Sequence, residues 1–414
     1  YKAIIHPIPP MKHLLPRILP LLLATAPLLP NHPVTPTAHA QEGKSAFGET
    51  VQPRGAYANS RHVFERTGKG RVAFIGGSIT EMDGYRPMVC ESLKKRFPKT
   101  EFDFIAAGIS STCSTTGAFR LETDVLSKGP IDLFFVEFAV NDDQDAHHSR
   151  ENCIRGLEGI LQHARKSNPS MDIIVTFFVN EGMIETYNKG GVPLSVEAHE
   201  SVAKRHNIST IHLGKEVATQ IRDGHLTWKQ FGGVHPAPFG NAICARMIDD
   251  LLNRMWIGPV ADAIKPHPTQ PAIDPLSYHK GRFMAPSKAT LKEGWTLGVP
   301  DWKSLPGGKR QRFNSLDILA ATTPGAELIL DFEGTAVGAF VLAGPDAGTV
   351  EASIDNAKSV SVDLYHAHSK GLHYPRTVMF GNDLAPGKHR LVLKVSATTT
   401  SSGNAIRIMQ FTAN

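Results

Sequence analysis

The sequence predicts an α/β protein with two parts: a parallel sheet covered by helices on both faces, then an antiparallel β-sandwich. From Arg71 to about Trp256, short runs of β-branched and aromatic residues alternate with longer helical patterns, as in parallel sheets. From about Leu291 onward, apolar residues instead recur at every second position between turn signals, which is typical of antiparallel strands. A length of 414 residues fits two domains.

The individual elements follow from these two patterns. In the first part, the predicted strands are residues 72–75, 102–106, 131–138, 172–178 and 209–212. The predicted helices are residues 85–97, 119–126, 149–166, 194–206 and 239–255. The predicted organisation after residue 40 is an N-terminal extension over 41–69, an α/β domain over 70–256, a polar, proline-rich connector over 257–290 and a β-sandwich domain over 291–414.

Composition and charge narrow the class of protein. The chain is 41% hydrophobic and 20% charged and contains 36 glycines, which excludes collagen-like, coiled-coil and wholly disordered proteins. A formal net charge of +5 is too small to give the basic face that a nucleic-acid backbone requires. We therefore expect no nucleic-acid partner.

The first forty residues are typical of a secretory signal. Basic residues follow Met11, then the apolar run 18–29 and the motif Ala38-His39-Ala40, which suits cleavage before Gln41. The run is too short to span a membrane, which takes about 20 residues. We expect residues 11–40 to be a signal peptide, residues 1–10 to lie upstream of the true start, and the mature chain to be extracellular or periplasmic. The alternative is a disordered, proline-rich tail.

The chain contains four cysteines: Cys90, Cys113, Cys153 and Cys244. No two of them form a C-x-x-C pair, so a zinc site is not expected. In an oxidising compartment they could pair in any of three ways. Cys90 and Cys244 lie in apolar helical patterns, which favours buried free thiols.

Chemistry-bearing residues follow several predicted strands. The first strand leads into Gly76-Gly77-Ser78, the second into Gly108-Ile109-Ser110-Ser111, and the third into Asn141-Asp142; Val234-His235-Pro236 precedes the last helix. Each motif alone is weak, since a Gly-Gly-Ser turn is often only a loop and an Asn often only caps a helix. Ligands of open α/β sheets bind at the carboxyl ends of the strands, so we expect these residues to share one cleft.

Taken in order, Gly-Gly-Ser-Ile, Ala-Gly-Ile-Ser-Ser, Val-Asn-Asp and Val-His-Pro resemble the four motif blocks of the SGNH (GDSL-type) ester hydrolase family over about residues 70–256. The resemblance implies a flavodoxin-like three-layer α/β/α fold and no metal or organic cofactor. It also implies that Ser78 is the nucleophile and His235 the base. The implied oxyanion hole comprises the Ser78 amide, a second-block amide and the Asn141 side chain.

The sequence departs from the family at three positions. Gly77 replaces the usual Asp, which should matter little to the serine. Ser111 stands where the family has its oxyanion Gly, and Gly108 lies three residues earlier as a second candidate. Gly232 replaces the acid that normally lies three residues before the histidine.

Without that acid, some other group must fix the imidazole tautomer. Some family members use a backbone carbonyl, and we hypothesise a Ser78–His235 dyad oriented by the carbonyl of Gly232 or its neighbour. The rival hypothesis is a carboxylate from elsewhere in the chain, with four candidates: Asp142, Asp143, Glu81 and Asp223.

The substrate is less closely specified. Trp228 and Phe231 precede His235 and either contact a sugar or acyl group or pack beneath the histidine loop. The β-rich region resembles the jelly-roll modules of secreted carbohydrate esterases and either binds carbohydrate or shields the catalytic domain. We expect a secreted carbohydrate O-acetyl esterase acting on an acylated carbohydrate. The alternatives are an arylesterase, lipase or thioesterase of the same fold, or an inactive carbohydrate-binding protein.

Overall fold

The computed structural model describes residues 45–414. The expected signal peptide over 11–40 and the segment before it lie outside the described residues. Within residues 45–414, no helix is both long enough and apolar enough to cross a bilayer. All four cysteines are buried and unpaired.

The α/β domain (residues 51–255) is built on one six-stranded sheet. Its strands are β1 (Val51–Gln52), β2 (Lys69–Gly76), β3 (Glu101–Gly108), β4 (Leu133–Glu137), β5 (Asp172–Thr176) and β6 (Ser209–Ile211). They lie in the order β1-β6-β5-β4-β2-β3. All neighbours from β2 to β6 pair in parallel, and only β1 is antiparallel. The predicted parallel sheet is therefore confirmed.

Within residues 45–414, ten α-helices lie between or after these strands. They are α1 (Ala58–Thr67), α2 (Ser78–Glu81), α3 (Tyr85–Arg96), α4 (Ser114–Asp124), α5 (Arg150–Ser167), α6 (Glu181–Asn188), α7 (Leu194–Arg205), α8 (Leu213–Arg222), α9 (Trp228–Phe231) and α10 (Pro238–Met255). The five predicted helices are present as α3, α4, α5, α7 and α10, whereas the ranges of α1, α2, α6, α8 and α9 were not predicted. Helix α4 begins five residues earlier than predicted, because its first turn packs tightly despite low helix propensity. A Cβ at Gly117 would lie 2.6 Å from the Phe138 ring.

The core of the sheet lies in its central strands. Every residue of β4 is buried, and Phe74 on β2 stacks on Phe135 with 4.7 Å between ring centroids. Burying such a side chain stabilises the fold by roughly 1.5–3 kcal/mol. The strands that precede Ser78 and Asn141, β2 and β4, are therefore firmly packed, whereas most of β3 is only partly buried or exposed.

The β domain (residues 282–413) consists of two antiparallel sheets. Its strands are β7 (Arg282–Met284), β8 (Thr290–Leu291), β9 (Trp295–Gly298), β10 (Ile318–Ala321), β11 (Glu327–Gly334), β12 (Val337–Ala343), β13 (Thr349–Ile354), β14 (Val360–Asp363), β15 (Tyr374–Gly381), β16 (Gly387–Val395) and β17 (Ile406–Ala413). One sheet has the order β15-β12-β17-β10-β9, with β7 beside β17, and the other β14-β13-β16-β11-β8. Apolar residues of both sheets share one core, which confirms the period-two pattern.

The two domains contact each other beside the carboxyl end of β3. Ile109, the residue after β3, packs in one buried cluster with Phe313, Phe340 and Leu342 of the β domain. Tyr278, between the domains, lies against Phe119 of α4 with 4.9 Å between ring centroids. The β domain therefore lies next to the loop that follows β3.

Two buried charged side chains support the strand ends. Arg120 of α4 donates to the carbonyls of Gly76 (2.9 Å) and Ala107 (2.7 Å), which fixes the ends of β2 and β3 relative to each other. Glu137, the last residue of β4, is fully buried. It accepts from Thr80 Oγ1 at 3.1 Å and from the Gly77 amide at 3.4 Å. Burial raises the pKa of Glu137 to about 7.

This pKa predicts a pH dependence of stability. A carboxyl group with a raised pKa binds its proton more tightly in the folded than in the unfolded chain. Its contribution is therefore complete below the ordinary pKa and is lost as pH rises through about 7. The loss is on the order of 3 kcal/mol. Urea unfolding between pH 5 and 8 should show that Glu137→Gln removes most of this decline. Parallel stability profiles for the two proteins would contradict the prediction.

Candidate active site

Ser78 and His235 meet at the carboxyl edge of the sheet. Ser78 is the first residue of α2, directly after β2, and His235 lies in the loop before α10. The Ser78 Oγ atom is 2.7 Å from His235 Nε2, although the two residues are 157 positions apart. When the hydroxyl donates this hydrogen bond, Nε2 is unprotonated and Nδ1 carries the imidazole hydrogen. This is the arrangement needed for proton transfer from serine to histidine.

The histidine loop is shaped by its own sequence. Gly232 ends α9 with φ +106°, a conformation that favours glycine. Pro238 occupies the first turn of α10, where its missing N–H costs nothing. The Asn241 side chain donates to the Pro236 carbonyl at 2.5 Å. These features fix both ends of the loop that presents His235.

The same geometry accounts for the missing acid. A Cβ at Gly232 would lie 2.0 Å from the Ala237 backbone nitrogen, so an Asp does not fit there. Among residues 45–414, no carbonyl or carboxylate accepts a hydrogen bond from His235 Nδ1. The predicted contact with the Gly232 carbonyl is therefore not formed, and the His235 side chain is exposed.

None of the four alternative carboxylates contacts His235. Each is engaged elsewhere: Asp142 with Ser114 and His199, Asp143 with Asn180, Glu81 with Ser110 and Arg312, and Asp223 with Arg222. The structure thus brings Ser78 and His235 together without a third group from the predicted set.

Two backbone amides near Ser78 are available to a ligand. Within the described part of the chain, neither the Ser78 nor the Ser111 N–H donates a hydrogen bond. Ser111 lies at φ +71° in a tight turn after β3. Gly108 is instead the last residue of β3, pairs with Gly76, and lies against the Glu81 backbone. Of the two candidates in the second block, Ser111 is therefore better placed than Gly108 to offer its amide.

The Asn141 side chain lies against Gly77, the residue that precedes Ser78. Its Nδ2 donates to Asp145 Oδ2 at 2.6 Å. Because a carboxylate only accepts, this contact fixes which end of the amide is the NH2 group, and the second hydrogen of that group has no partner among the described residues. A Cβ at Gly77 would lie 2.0 Å from Asn141 Oδ1. Glycine at 77 is therefore what allows Asn141 to approach Ser78.

Asp142, the residue after Asn141, is bonded to two neighbouring helices. It accepts from the Ser114 amide (2.7 Å) and hydroxyl (2.6 Å) and from His199 Nε2 (2.9 Å). Burial alone would raise the pKa of Asp142, but His148 and His199 hold it well below its ordinary value. Asp142 therefore links the turn that begins at Asn141 to α4 and α7. The predicted role of Asp142 as a partner of His235 does not fit this position.

The two predicted aromatic contacts differ in accessibility. Phe231 is fully buried in the core, so of its two predicted alternatives, packing beneath the histidine loop holds and contact with substrate does not. Trp228 is half-buried and stacks on Phe231 with 5.5 Å between ring centroids, which favours packing beneath the loop. The exposed aromatic residue near the histidine is Phe239, with 55% of its surface accessible.

Other residues beside the site were not predicted. Asp145 follows Asn141 by four positions, and that helical spacing could have indicated their contact. Arg310 and Tyr374 of the β domain donate to the backbone of Ser110 and Ser111. No sequence motif marks these two residues, because nothing local in the chain encodes how two domains pack.

The close approach of Gly77 and Asn141 predicts a specific loss of activity. A Cβ in Gly77→Ala displaces the Asn141 amide, and losing one oxyanion donor costs about 10²–10³ in kcat. We expect a fall in that range for p-nitrophenyl acetate with little change in KM. Gly182→Ala is the matched control, because that Cβ meets only one side-chain atom, at 3.5 Å. Unchanged kcat in Gly77→Ala would remove Asn141 from the site.

Comparison with known proteins identifies the family of the α/β domain. Residues 74–243 match the family model described as GDSL-like Lipase/Acylhydrolase. Two crystal structures of a two-domain esterase (CEX) active on acetylated mannans are similar over 88% of this chain and 96% of theirs. One has a TM-score of 0.70 at 21% identity; the other, co-crystallised with mannopentaose, has 0.69 at 20%. At that identity the likeness concerns the fold. No curated protein sequence matches the chain. Residues 74–243 therefore form a GDSL-like lipase/acylhydrolase domain, and the protein is a carboxylic ester hydrolase.

Proposed function

We propose that the protein is an exported carbohydrate O-acetyl esterase that works through a Ser78–His235 dyad and an acyl-enzyme. The observation that carries the proposal is the 2.7 Å contact between Ser78 Oγ and His235 Nε2. We assign the oxyanion hole to the Ser78 and Ser111 amides, which donate to no other group among the described residues, and to the Asn141 side chain. A nucleophile, a base and preorganised donors are the requirements for acyl transfer.

In the first half of the reaction, Ser78 Oγ attacks the acetyl carbonyl while His235 Nε2 takes the hydroxyl proton. The three donors stabilise the negative charge on the tetrahedral oxygen. The bond to the sugar oxygen then breaks, and the imidazolium of His235 protonates that oxygen. The product is a free sugar hydroxyl and an acetyl group on Ser78.

In the second half, His235 takes a proton from a water molecule that attacks the acetyl carbon. The same donors hold the second tetrahedral oxyanion. The proton returns to Ser78 Oγ as the ester bond breaks, and acetate leaves. His235 Nδ1 keeps its hydrogen throughout, so the proton transfers need no carboxylate. The negative charge with which a carboxylate would stabilise the imidazolium is absent.

The surroundings of the site support a polymeric substrate. His235 is exposed, so an acetyl group on a polysaccharide could reach the serine without the polymer entering a pocket. The likeness to a two-domain esterase active on acetylated mannans favours an acetylated mannan as the first substrate to test. The signal-like pattern of residues 11–40 supports export to the outside of the cell membrane, where such polymers occur.

The test is acetate release from acetylated glucomannan, xylan and pectin, together with hydrolysis of p-nitrophenyl esters of two to sixteen carbons. We expect release from at least one polysaccharide and a preference for the acetyl ester. Ser78→Ala and His235→Ala should each lose at least about 10⁴ in kcat. Ser127→Ala and His225→Ala, which replace exposed residues, are the controls and should keep full activity.

Two results would contradict the proposal. A preference for long acyl chains without acetate release would indicate a lipase or thioesterase of the same fold. Carbohydrate binding without turnover of any ester would indicate an inactive binding protein.

A further inference from the structure

The loop that carries Ser111 has an unfavourable backbone conformation. The Thr112 amide donates to the Ile109 carbonyl at 3.2 Å, which closes a turn over residues 109–112. Ser111 lies at φ +71° in this turn, and the left-handed region costs a residue with a Cβ about 1 kcal/mol or more. Such conformations persist where neighbouring contacts hold them in place.

Those contacts come from the β domain. Arg310 donates from Nη1 to the Ser110 carbonyl at 2.7 Å and from Nη2 to Ser111 Oγ at 2.8 Å. Tyr374 Oη donates to the Ser111 carbonyl at 3.3 Å. Burial raises the pKa of Tyr374 well above its ordinary value, so this hydroxyl remains a donor. A planar guanidinium with two bonds to consecutive residues fixes the orientation of the peptide between them, and that peptide carries the Ser111 N–H.

A second arginine links the loop to the helix of the nucleophile. Arg312 donates to the Gly108 carbonyl at 3.2 Å and forms an ion pair with Glu81. Glu81 lies in the same short helix as Ser78 and accepts from the Ser110 amide at 2.7 Å. Burial opposes ionisation of Glu81, but its bonds with Ser110 and the charge of Arg312 hold its pKa below the ordinary value.

The β domain also holds the residue that orients Asn141. His366 Nε2 lies 2.8 Å from the Asp145 carbonyl and can donate to it, while His366 Nδ1 accepts from the His368 amide at 3.3 Å. Burial, with a smaller contribution from Arg376, lowers the pKa of His366, which favours the neutral ring with one hydrogen. The His366 ring stacks on Tyr374 with 4.6 Å between centroids. The contacts to Ser111 and to Asp145 therefore meet at one aromatic pair.

We propose that the β domain completes the oxyanion hole, with Arg310 as the positioning residue for the Ser111 amide and His366 as the positioning residue for Asn141 through Asp145. The inference rests on the proposed function and adds a role for the second domain beyond binding or shielding. Its physical basis is that Arg310 bonds to Ser110 and Ser111, whose shared peptide carries the Ser111 N–H. In the same way, His366 bonds to Asp145, which accepts from the Asn141 side chain.

Arg310→Met tests the first half, because it removes both donors but keeps most of the apolar stem. Losing an oxyanion donor costs about 10²–10³ in kcat, and a misplaced donor should cost part of that, about 10–100-fold, with KM changed less than about threefold. Arg310→Lys supplies one donor nitrogen in place of the two that Arg310 uses, and it should recover part of the loss. Arg390→Met is the matched control, because Arg390 pairs with exposed Asp331 on the β domain.

His366→Phe tests the second half. Phenylalanine keeps the ring stacked on Tyr374 but cannot donate to the Asp145 carbonyl. We expect a drop of about 3–30-fold in kcat, again with KM nearly unchanged and with a melting temperature close to that of the wild type. A structural role alone would lower the melting temperature and leave kcat of the folded fraction intact.

The outcomes separate this inference from the proposed function. If the wild type hydrolyses esters and Ser78→Ala does not, the function stands whatever the β-domain variants do. In that case, the role of Arg310 would be overturned if Arg310→Met had the same kcat as the control variant Arg390→Met. The same result in His366→Phe would overturn the role of His366. Absence of wild-type turnover would instead contradict the proposed function itself.

Discussion

The structure depends on the register of three parallel strands. Gly76 of β2 pairs with Gly108 of β3 on one side and with Glu137 of β4 on the other, so the three strands end level with one another. Whatever follows them emerges at the same edge: Ser78 after β2, the turn with Ser111 after β3 and Asn141 after β4. Arg120 strengthens this alignment from within by bonding to the ends of β2 and β3. The 2.7 Å contact between Ser78 and His235 is a consequence of that alignment and of the rigid loop before α10.

Departures from the family pattern have steric causes in the surrounding structure. Asn141 fills the space that a side chain at position 77 would need, and the Ala237 amide fills the space beside Gly232. The first departure lets the Asn141 side chain pack against the residue before Ser78, and the second removes the acid that usually lies three residues before the histidine. At Ser111, a residue with a Cβ holds a conformation that glycine adopts freely, and contacts from the second domain offset that cost. Neighbouring groups therefore compensate at positions 77 and 111, whereas no group among residues 45–414 replaces the acid that is missing at position 232.

Local sequence patterns predicted the parallel sheet and three residues of the candidate site. Strand–helix alternation predicted the parallel sheet, and Ser78, Asn141 and His235 stood out because each follows a strand or precedes a helix in a recognisable motif. The sequence was uninformative where tertiary packing decides. Helix α4 starts in a Ser-Thr-Gly run that is a poor helix former, and Phe231 lies beneath the histidine loop instead of facing the cleft. Arg310 and Tyr374 contact residues about 200 and 263 positions away, and no periodicity or motif encodes such contacts between domains.

The central claim, that Ser78 is a nucleophile activated by His235, is tested most directly by covalent labelling. The full-length protein would be treated with a fluorophosphonate, which phosphonylates activated serines, and the adduct located by intact mass and peptide mapping. The account predicts one adduct per chain, on Ser78, formed at least about 100-fold more slowly in His235→Ala, since an adjacent base activates the hydroxyl. An adduct on a different serine, or labelling of His235→Ala at the wild-type rate, would contradict it.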